Sequence, residues 1–73
     1  MKTEDLENRF TYHAPTPSKL PKFKAIREMG HEFATLLNEL CLEGREKSLA
    51  MTKLEEVVMW ANASIAREVT SNE

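Results

Sequence analysis

Two groups of side chains in the first half of the sequence could bind an anionic ligand that carries aromatic rings. The first group is aromatic, with Phe10, Tyr12 and His13 in a proline-containing stretch that precedes any helical pattern. The second group is cationic and recurs every three or four residues, the spacing that places side chains on one side of a helix. Its members are Lys24, Arg27 and His31. Rings that stack on bases and cations that contact phosphates are the components of a nucleotide pocket.

A simpler interpretation of these residues stays open, because helix lysines are usually only solvated, and Phe10 with Tyr12 could merely attach the arm to a neighbouring molecule. A third set, Lys53, Trp60 and Arg67, recurs every seven residues and therefore lies along one line of a helix. Around a symmetry axis such lines meet their own copies and form a shared cationic pocket. Trp60 could equally fill an interface, with the cations exposed beside it.

The sequence does not combine the residue types that catalysis requires. Cys41 has no histidine close to it in the sequence, which favours the role of a small buried apolar residue. The adjacent Glu55 and Glu56 would point about 100° apart on a helix, as solvated residues do. His13 and His31 have no companion at the spacing of a zinc site, and no glycine-rich phosphate loop is present. We therefore expect a binding protein without metal or cofactor, and not an enzyme.

Length and composition point to self-association. The 73 residues form one predicted domain, 1–73, whose core is expected to supply only about 3–5 kcal/mol. The single cysteine excludes an internal disulfide, so contacts between copies of the chain are the remaining source of stability. The net charge of −2 argues against binding of long nucleic acid. Neither a signal peptide nor an apolar run of about 20 residues is evident, so we expect an intracellular protein without a membrane span.

Two helices are predicted to position the candidate residues. Residues 1–17 show no helical periodicity and end in a segment with two prolines, which predicts an extended arm. Ser18 can cap a helix and Pro21 falls within its first turn, so helix 1 is predicted within residues 18–43. This placement puts the cationic group in the first half of helix 1, next to the arm.

Helix 2 is predicted within residues 45–69, after Gly44, which suits a helix end in the left-handed conformation. A short turn makes the two helices antiparallel, so the predicted subunit is an all-α helical hairpin with an extended arm. Apolar residues at three-four spacing form one seam on each helix. The helix 1 seam is Phe23, Ile26, Gly30, Phe33, Leu37 and Leu40, and the helix 2 seam is Met51, Leu54, Val58, Ala61 and Ile65.

The helices carry more apolar surface than one hairpin can bury. Met29 and Leu36 widen the stripe on helix 1, while Leu49 and Trp60 lie nearly opposite the seam of helix 2. Gly30 costs about 1 kcal/mol relative to alanine in a helix, so it is either a local weakness or a position that a backbone or ligand approaches closely. We expect several hairpins to pack into a compact homo-oligomeric bundle.

Helix 2 also carries a resemblance. The sequence REKSLAMTKLEE at residues 45–56, continued by VMWANASIAR at residues 58–67, resembles the small bacteriophage anti-CBASS sponge proteins, which sequester cyclic oligonucleotide signals. The segment YHAP at residues 12–15 is similar to the arm of the same family. The resemblance covers most of residues 10–67.

This resemblance implies a compact hexamer that binds cyclic dinucleotides, such as cyclic GMP-AMP, between subunits and cyclic trinucleotides at separate threefold pockets. It implies that the protein lowers the free messenger in the cytoplasm of the infected bacterial host, so that CBASS effectors are not activated. On the family's pattern Tyr12, next to His13 in the arm, stacks on a base. Arg27, with Lys24 as the alternative, contacts the phosphates. Arg67 lines the trinucleotide pocket.

A second function from a different class stays open. A helical structural or protein-interaction module could use the basic side of helix 1 and the arm to hold an acidic partner. That interpretation predicts no binding of cyclic nucleotides.

Overall fold

Three helices make up the part of the chain that the structure, a computed structural model, describes, namely residues 1–68. They are α1 (Thr3–Phe10), α2 (Leu20–Leu40) and α3 (Arg45–Arg67). These residues contain no strand, and α2 packs along α3 as an antiparallel pair. The all-α class and the hairpin are therefore confirmed. Both helices end earlier than predicted, α2 at Leu40 and not at residue 43, and α3 at Arg67 with Glu68 as an extended C-cap; residue 69, the predicted end of helix 2, lies outside the described residues.

The arm differs from the predicted extended stretch, because its first part is the eight-residue helix α1. Glu4 and Asp5 lie in its first turn and Arg9 in its last. This distribution of charge complements the helix dipole and stabilises a helix without needing an apolar stripe. Residues 12–16, which include Pro15, have no regular secondary structure. The prediction of an extended arm over 1–17 was thus wrong for α1 and holds for the segment after it.

α2 begins one residue later than a cap at Ser18 would place it. The N-cap residue is Lys19, whose side chain makes no capping hydrogen bond, and Pro21 occupies the first turn as predicted. A turn precedes the helix: the carbonyl of Thr16 accepts hydrogen bonds from the N–H groups of Lys19 and Leu20 at 3.0 and 3.2 Å. The first helical N–H groups are therefore satisfied by backbone.

The connection between α2 and α3 is built around Lys47. Its Nζ donates to the carbonyl of Asn38, in the last turn of α2, at 3.2 Å and forms an ion pair with Glu43. Gly44 is the N-cap residue of α3 and has φ 160° and ψ −176°, an extended conformation. The predicted left-handed conformation of Gly44 was therefore wrong. The free carbonyl of Asn38 at the end of α2, which a left-handed glycine could have helped to satisfy, accepts a hydrogen bond from Lys47 instead.

The hairpin has a seam but no enclosed core. No apolar side chain among residues 1–68 is fully buried. The residues that line the seam are half-buried: Phe23, Ile26, Gly30, Ala34 and Leu37 from α2, and Met51, Leu54, Val58, Ala61 and Ile65 from α3. Phe33 and Leu40, which the sequence placed in the seam, are 52% and 73% exposed. Ala34 takes the place of Phe33, about 100° further around the helix.

Gly30 marks a close approach of α3 to α2. A Cβ atom built on Gly30 would lie 2.7 Å from Cγ2 of Val58, a distance that real Cβ atoms essentially never show. Of the two interpretations of Gly30, the close approach of a neighbouring group is therefore the correct one. Ala34, one turn after Gly30, is a second small residue on the side of α2 that faces α3.

The variant Gly30→Ala is expected to lower the free energy of unfolding. The added methyl group overpacks the contact with Val58, which typically costs about 1–3 kcal/mol, and the gain in helix propensity offsets only about 1 kcal/mol of that. Urea unfolding followed by circular dichroism measures the difference. Val58→Ala, alone and combined with Gly30→Ala, completes the cycle, in which the double variant should recover stability relative to the sum of the single effects. Stabilisation by Gly30→Ala alone would contradict the close contact.

The two flanks of α2 differ in character. One flank, here called the α2 apolar surface, consists of Met29, Phe33, Leu36 and Leu40, which are between 48% and 73% exposed. The cationic group lies on the other flank. The outer side of α3 carries further exposed apolar residues, among them Leu49 and Trp60. Within residues 1–68, no helix combines the length and the apolar character that crossing a membrane requires.

Candidate ligand-binding surface

The four cations between residues 19 and 27 divide into two pairs with different roles. Lys19 is only 6% exposed, and its Nζ donates to the carbonyls of Ala66 and Glu68 at 3.1 and 2.8 Å. The Nζ of Lys22 forms an ion pair with the Glu68 carboxylate at 3.0 Å. Lys19 therefore holds the end of α3 and is not free to bind an anion, whereas the exposed pair of Lys22 is a weaker contact to the same end.

Lys24 and Arg27 are left as the cations available to a ligand. Lys24 pairs with Glu28 at 3.8 Å, with both side chains largely exposed, and such pairs are weak. Arg27 is exposed and makes no hydrogen bond or ion pair within residues 1–68. An unpaired guanidinium offers two parallel donors to a phosphate without first breaking an internal contact. Of the two alternatives from the sequence, Arg27 is thus the better placed.

Arg27 stands beside a groove of about 340 Å³ between α2 and α3. The groove is lined by Arg27, Gly30, His31, Ala34, Met51, Leu54, Glu55 and Val58. Its polar groups are a guanidinium, an imidazole and a carboxylate, and its remaining lining is apolar. On the outer side of α2, a second concavity is lined by Arg27, Glu28, His31 and Glu32. Arg27 and His31 therefore form the ridge between two concave surfaces.

His31 and Glu55 gain importance from the structure. The sequence grouped His31 with the cationic stripe but did not place it among the predicted binding residues, and it assigned Glu55 to a solvated face. Both line the groove with Arg27. The available signal was spacing: His31 lies one turn after Arg27, and Glu55 lies one turn after Met51 of the seam.

The arm presents two exposed aromatic rings, Phe10 and Tyr12, and one engaged ring, His13. Tyr12 is 83% exposed and makes no hydrogen bond among the described residues. His13 folds back on α1, where its Nε2–H donates to the carbonyl of Asn8 at 2.6 Å. His13 also shares a concavity with Glu4, Asp5 and Glu7. The His13 ring is thus engaged, whereas Phe10 and Tyr12 are both 83% exposed and accessible for stacking.

The structure does not bring Tyr12 to Arg27 within one subunit. The groove beside Arg27 is lined by residues of α2 and α3 alone. α1 makes no extensive contact with either long helix within the described part of the chain. A pocket that uses both residues therefore requires the arm to move or a second subunit to contribute one of them.

Arg67 lies at the other predicted site, in the last turn of α3. It is half-buried and makes no hydrogen bond or ion pair within residues 1–68. Further along the same line, Trp60 is 61% exposed and Lys53 pairs with Glu56 at 3.4 Å. The line of Lys53, Trp60 and Arg67 thus lies on the side of α3 away from α2, where Trp60 is accessible to another copy of the chain.

Groups that could hold a metal are not assembled in the described residues. Cys41 is a free, half-buried thiol. No cluster of three or more histidine, cysteine, aspartate or glutamate side chains with the geometry of a metal site occurs within residues 1–68. The polar groups that converge beside Arg27 are those that bind a ligand by charge and hydrogen bonds.

The fold and these surfaces define a small helical-hairpin domain of the ligand-binding type. A family model described as "Acb2/Tad1, hairpin domain" matches residues 2–66 of the chain. The chain belongs to this family, the anti-CBASS cyclic-oligonucleotide sponges, and the resemblance noted in helix 2 is confirmed. Members of the family bind their ligands as sponges and are not enzymes. Comparisons with curated proteins and with solved structures found no match.

Proposed function

We propose that the protein binds and sequesters cyclic dinucleotides, such as cyclic GMP-AMP, in the cytoplasm of an infected bacterial host. By lowering the free messenger it prevents activation of CBASS effectors. Membership in the sponge family supports the role. The observation that carries the ligand assignment is Arg27, an exposed guanidinium that lies beside a groove and has no hydrogen bond or ion pair within residues 1–68, while Lys19 and Lys22 contact the end of α3.

The chemistry of a cyclic dinucleotide fits a pocket made by two subunits. The ligand has two phosphates and two bases in approximate twofold symmetry, and a twofold interface offers the same residues to each half. Each phosphate would receive charge-assisted hydrogen bonds from one Arg27. Each base would stack on one Tyr12, which the arm of either subunit can supply because the ring is exposed.

Self-association is part of the proposal. A hairpin with no fully buried apolar side chain among residues 1–68 gains its stability where copies meet. We propose a hexamer, as the family resemblance implies, with the α2 apolar surface at its subunit contacts. Because Arg27 lies on the opposite flank of α2, these contacts leave it accessible. Separate threefold pockets lined by Arg67 would take cyclic trinucleotides.

A sponge needs slow ligand release and abundance, and no chemical step. Affinity differences between related complexes arise mostly in the dissociation rate, so a pocket that closes over both phosphates suits sequestration. Nothing in this mechanism breaks a bond, so the ligand should be recovered unchanged.

Native mass spectrometry with a panel of cyclic di- and trinucleotides, combined with calorimetry, tests the proposal. We expect binding of intact ligand to an oligomer, with fewer ligands than subunits when pockets are shared. Heating the complex should release the ligand chemically unchanged, and a cleaved product would argue for an enzyme. If no cyclic nucleotide binds while an acidic peptide does, the protein-interaction module takes the place of the sponge.

The variant Tyr12→Ala is expected to weaken cyclic GMP-AMP binding about tenfold or more, because stacking of a base on an aromatic side chain contributes about 1–3 kcal/mol. Calorimetry measures the change, and sedimentation should show an unchanged oligomer. Tyr12→Phe retains the ring and should bind nearly as well as the parent. If Tyr12→Ala bound the ligand as tightly as the parent, the arm would not be part of the binding site.

A further inference from the structure

The most enclosed charged group of the described residues closes the open end of the hairpin. Lys19, at the start of α2, is 6% exposed, and its Nζ reaches the last turn of α3. It donates to the carbonyls of Ala66 and Glu68 at 3.1 and 2.8 Å. The residue between these two carbonyls is Arg67, which is itself free of internal partners within residues 1–68.

These hydrogen bonds satisfy both the free carbonyls at the end of α3 and the buried ammonium group of Lys19. The last four carbonyls of a helix have no partners within the helix, and the partial negative charge there favours a cation. A lysine taken out of water without hydrogen-bond partners would be costly. Lys19 and the carbonyls of residues 66 and 68 therefore satisfy each other. Lys22 adds an ion pair to the Glu68 carboxylate, an exposed contact that contributes little alone.

We propose that Lys19 is a positioning residue for Arg67, an inference that rests on the proposed trinucleotide pocket. Terminal turns of helices fray, and Arg67 lies in such a turn. Hydrogen bonds to the carbonyls on both sides of Arg67 hold its backbone against α2. In a threefold pocket the Arg67 side chains of three subunits must reach the same small ligand. A change that disorders the end of α3 therefore affects all three ligand contacts at once.

The same contact ties Arg67 to the arm. Lys19 directly follows the segment that carries Tyr12 and the turn at Thr16, whose carbonyl accepts the Lys19 N–H. The root of the arm and the end of α3 are therefore joined through one side chain.

Lys47 provides a matched control at the closed end of the hairpin. It is 9% exposed and, like Lys19, donates to a carbonyl in the last turn of the opposite helix. Its partners, Asn38 and Glu43, are remote in sequence from Arg67 and lie near no proposed binding residue. Loss of Lys47 should therefore reduce stability by a similar mechanism without disturbing Arg67.

The experiment compares Lys19→Met, Lys47→Met and Arg67→Ala in the full chain, by calorimetry with cyclic tri-AMP and with cyclic GMP-AMP. Lys19→Met should weaken cyclic tri-AMP binding about tenfold. In metal sites, mutation of a residue that only orients a ligand-binding side chain lowers affinity by about 10–100-fold, and we expect the lower end of that range. Its binding of cyclic GMP-AMP should stay within about twofold of the parent. Lys47→Met should leave both affinities unchanged, and Lys19→Arg, which retains the cation and its donors, should restore most of the loss.

Amide hydrogen exchange in the ligand-free protein provides a readout that is independent of binding. Exchange at residues 65–67 should accelerate in Lys19→Met and not in Lys47→Met. If Lys19→Met does not fold, Lys19→Gln, which retains a shorter neutral donor, is measured in its place.

The outcomes separate the positioning role from the site itself. If Arg67→Ala binds cyclic tri-AMP as well as the parent does, the proposed trinucleotide pocket is wrong. If Arg67→Ala weakens binding and Lys19→Met does not, the pocket stands and the positioning role is overturned. Equal losses in Lys19→Met and Lys47→Met would also overturn it, because both would then reflect general stability.

Discussion

Replacing Arg27 by alanine is expected to weaken binding of cyclic GMP-AMP by at least about a hundredfold, since each hydrogen bond to a charged group contributes about 1.5–3 kcal/mol. A pocket shared by two subunits would lose this contribution at both phosphates. Arg27 is exposed and has no internal partner within residues 1–68, so its removal should affect neither folding nor assembly. Calorimetry gives the affinity, and sedimentation velocity gives the assembly state.

Lys24→Ala is the matched control for Arg27→Ala. Lys24 lies one turn earlier on the same flank of α2 and has the same charge, but it already pairs with Glu28. Its loss should reduce affinity less than about fivefold, the effect expected of a nearby exposed charge. If Lys24→Ala had the larger effect, the phosphate contact would belong to Lys24. If both variants bound like the parent, neither cation would contact the ligand.

The hairpin itself could be predicted from the sequence because its signals are repeated along the chain. Three-four spacing of apolar residues extends over about four turns or more in each helix, and Pro21 fits only near a helix start. α1 could not be predicted in this way. Its eight residues are too few to establish an apolar period, and its stability depends on where its charges lie.

The position of the seam after Gly30 shows how tertiary contact decides between two regular patterns. From Gly30 the three-four rule allows either Phe33 or Ala34, and apolar size alone favours Phe33. Val58 approaches α2 closely at Gly30, and such closely spaced helices favour a small side chain one turn later. Ala34 therefore faces α3, and Phe33 turns to the α2 apolar surface, 52% exposed.

The spacing and the family resemblance selected Lys24 and Arg27 as the candidate cations. The sequence could not show what the neighbouring lysines do, because the contacts of Lys19 and Lys22 depend on the end of α3, which lies more than 45 residues away along the chain and close in space. The relation of Tyr12 to Arg27 depends in turn on contacts between subunits.

Phe33→Glu is expected to dissociate the oligomer and unfold most of the hairpin. Burial of a phenylalanine side chain contributes about 1.5–3 kcal/mol for each subunit, and an unpaired carboxylate in the same contact adds a penalty of several kcal/mol. A hairpin without a fully buried apolar side chain within residues 1–68 has no separate core that could absorb this loss. Sedimentation velocity at micromolar concentration should show monomers, and circular dichroism should show a large loss of helix.

Thr35→Glu tests whether position, and not the added charge, causes the effect. Thr35 is exposed on the flank of α2 away from Phe33, and its hydroxyl donates only to the carbonyl of His31 one turn earlier. The same charge at this position should leave the oligomer and its helix content intact, because Thr35 lies outside the α2 apolar surface, to which the stabilising subunit contacts are assigned. A well-folded monomer of the parent chain, or an intact oligomer of Phe33→Glu, would place the subunit contacts elsewhere. Arg27 and Phe33 lie on opposite flanks of α2, so the two variants should have different defects. Arg27→Ala should assemble normally and bind the ligand weakly, whereas Phe33→Glu should not assemble and should therefore not bind.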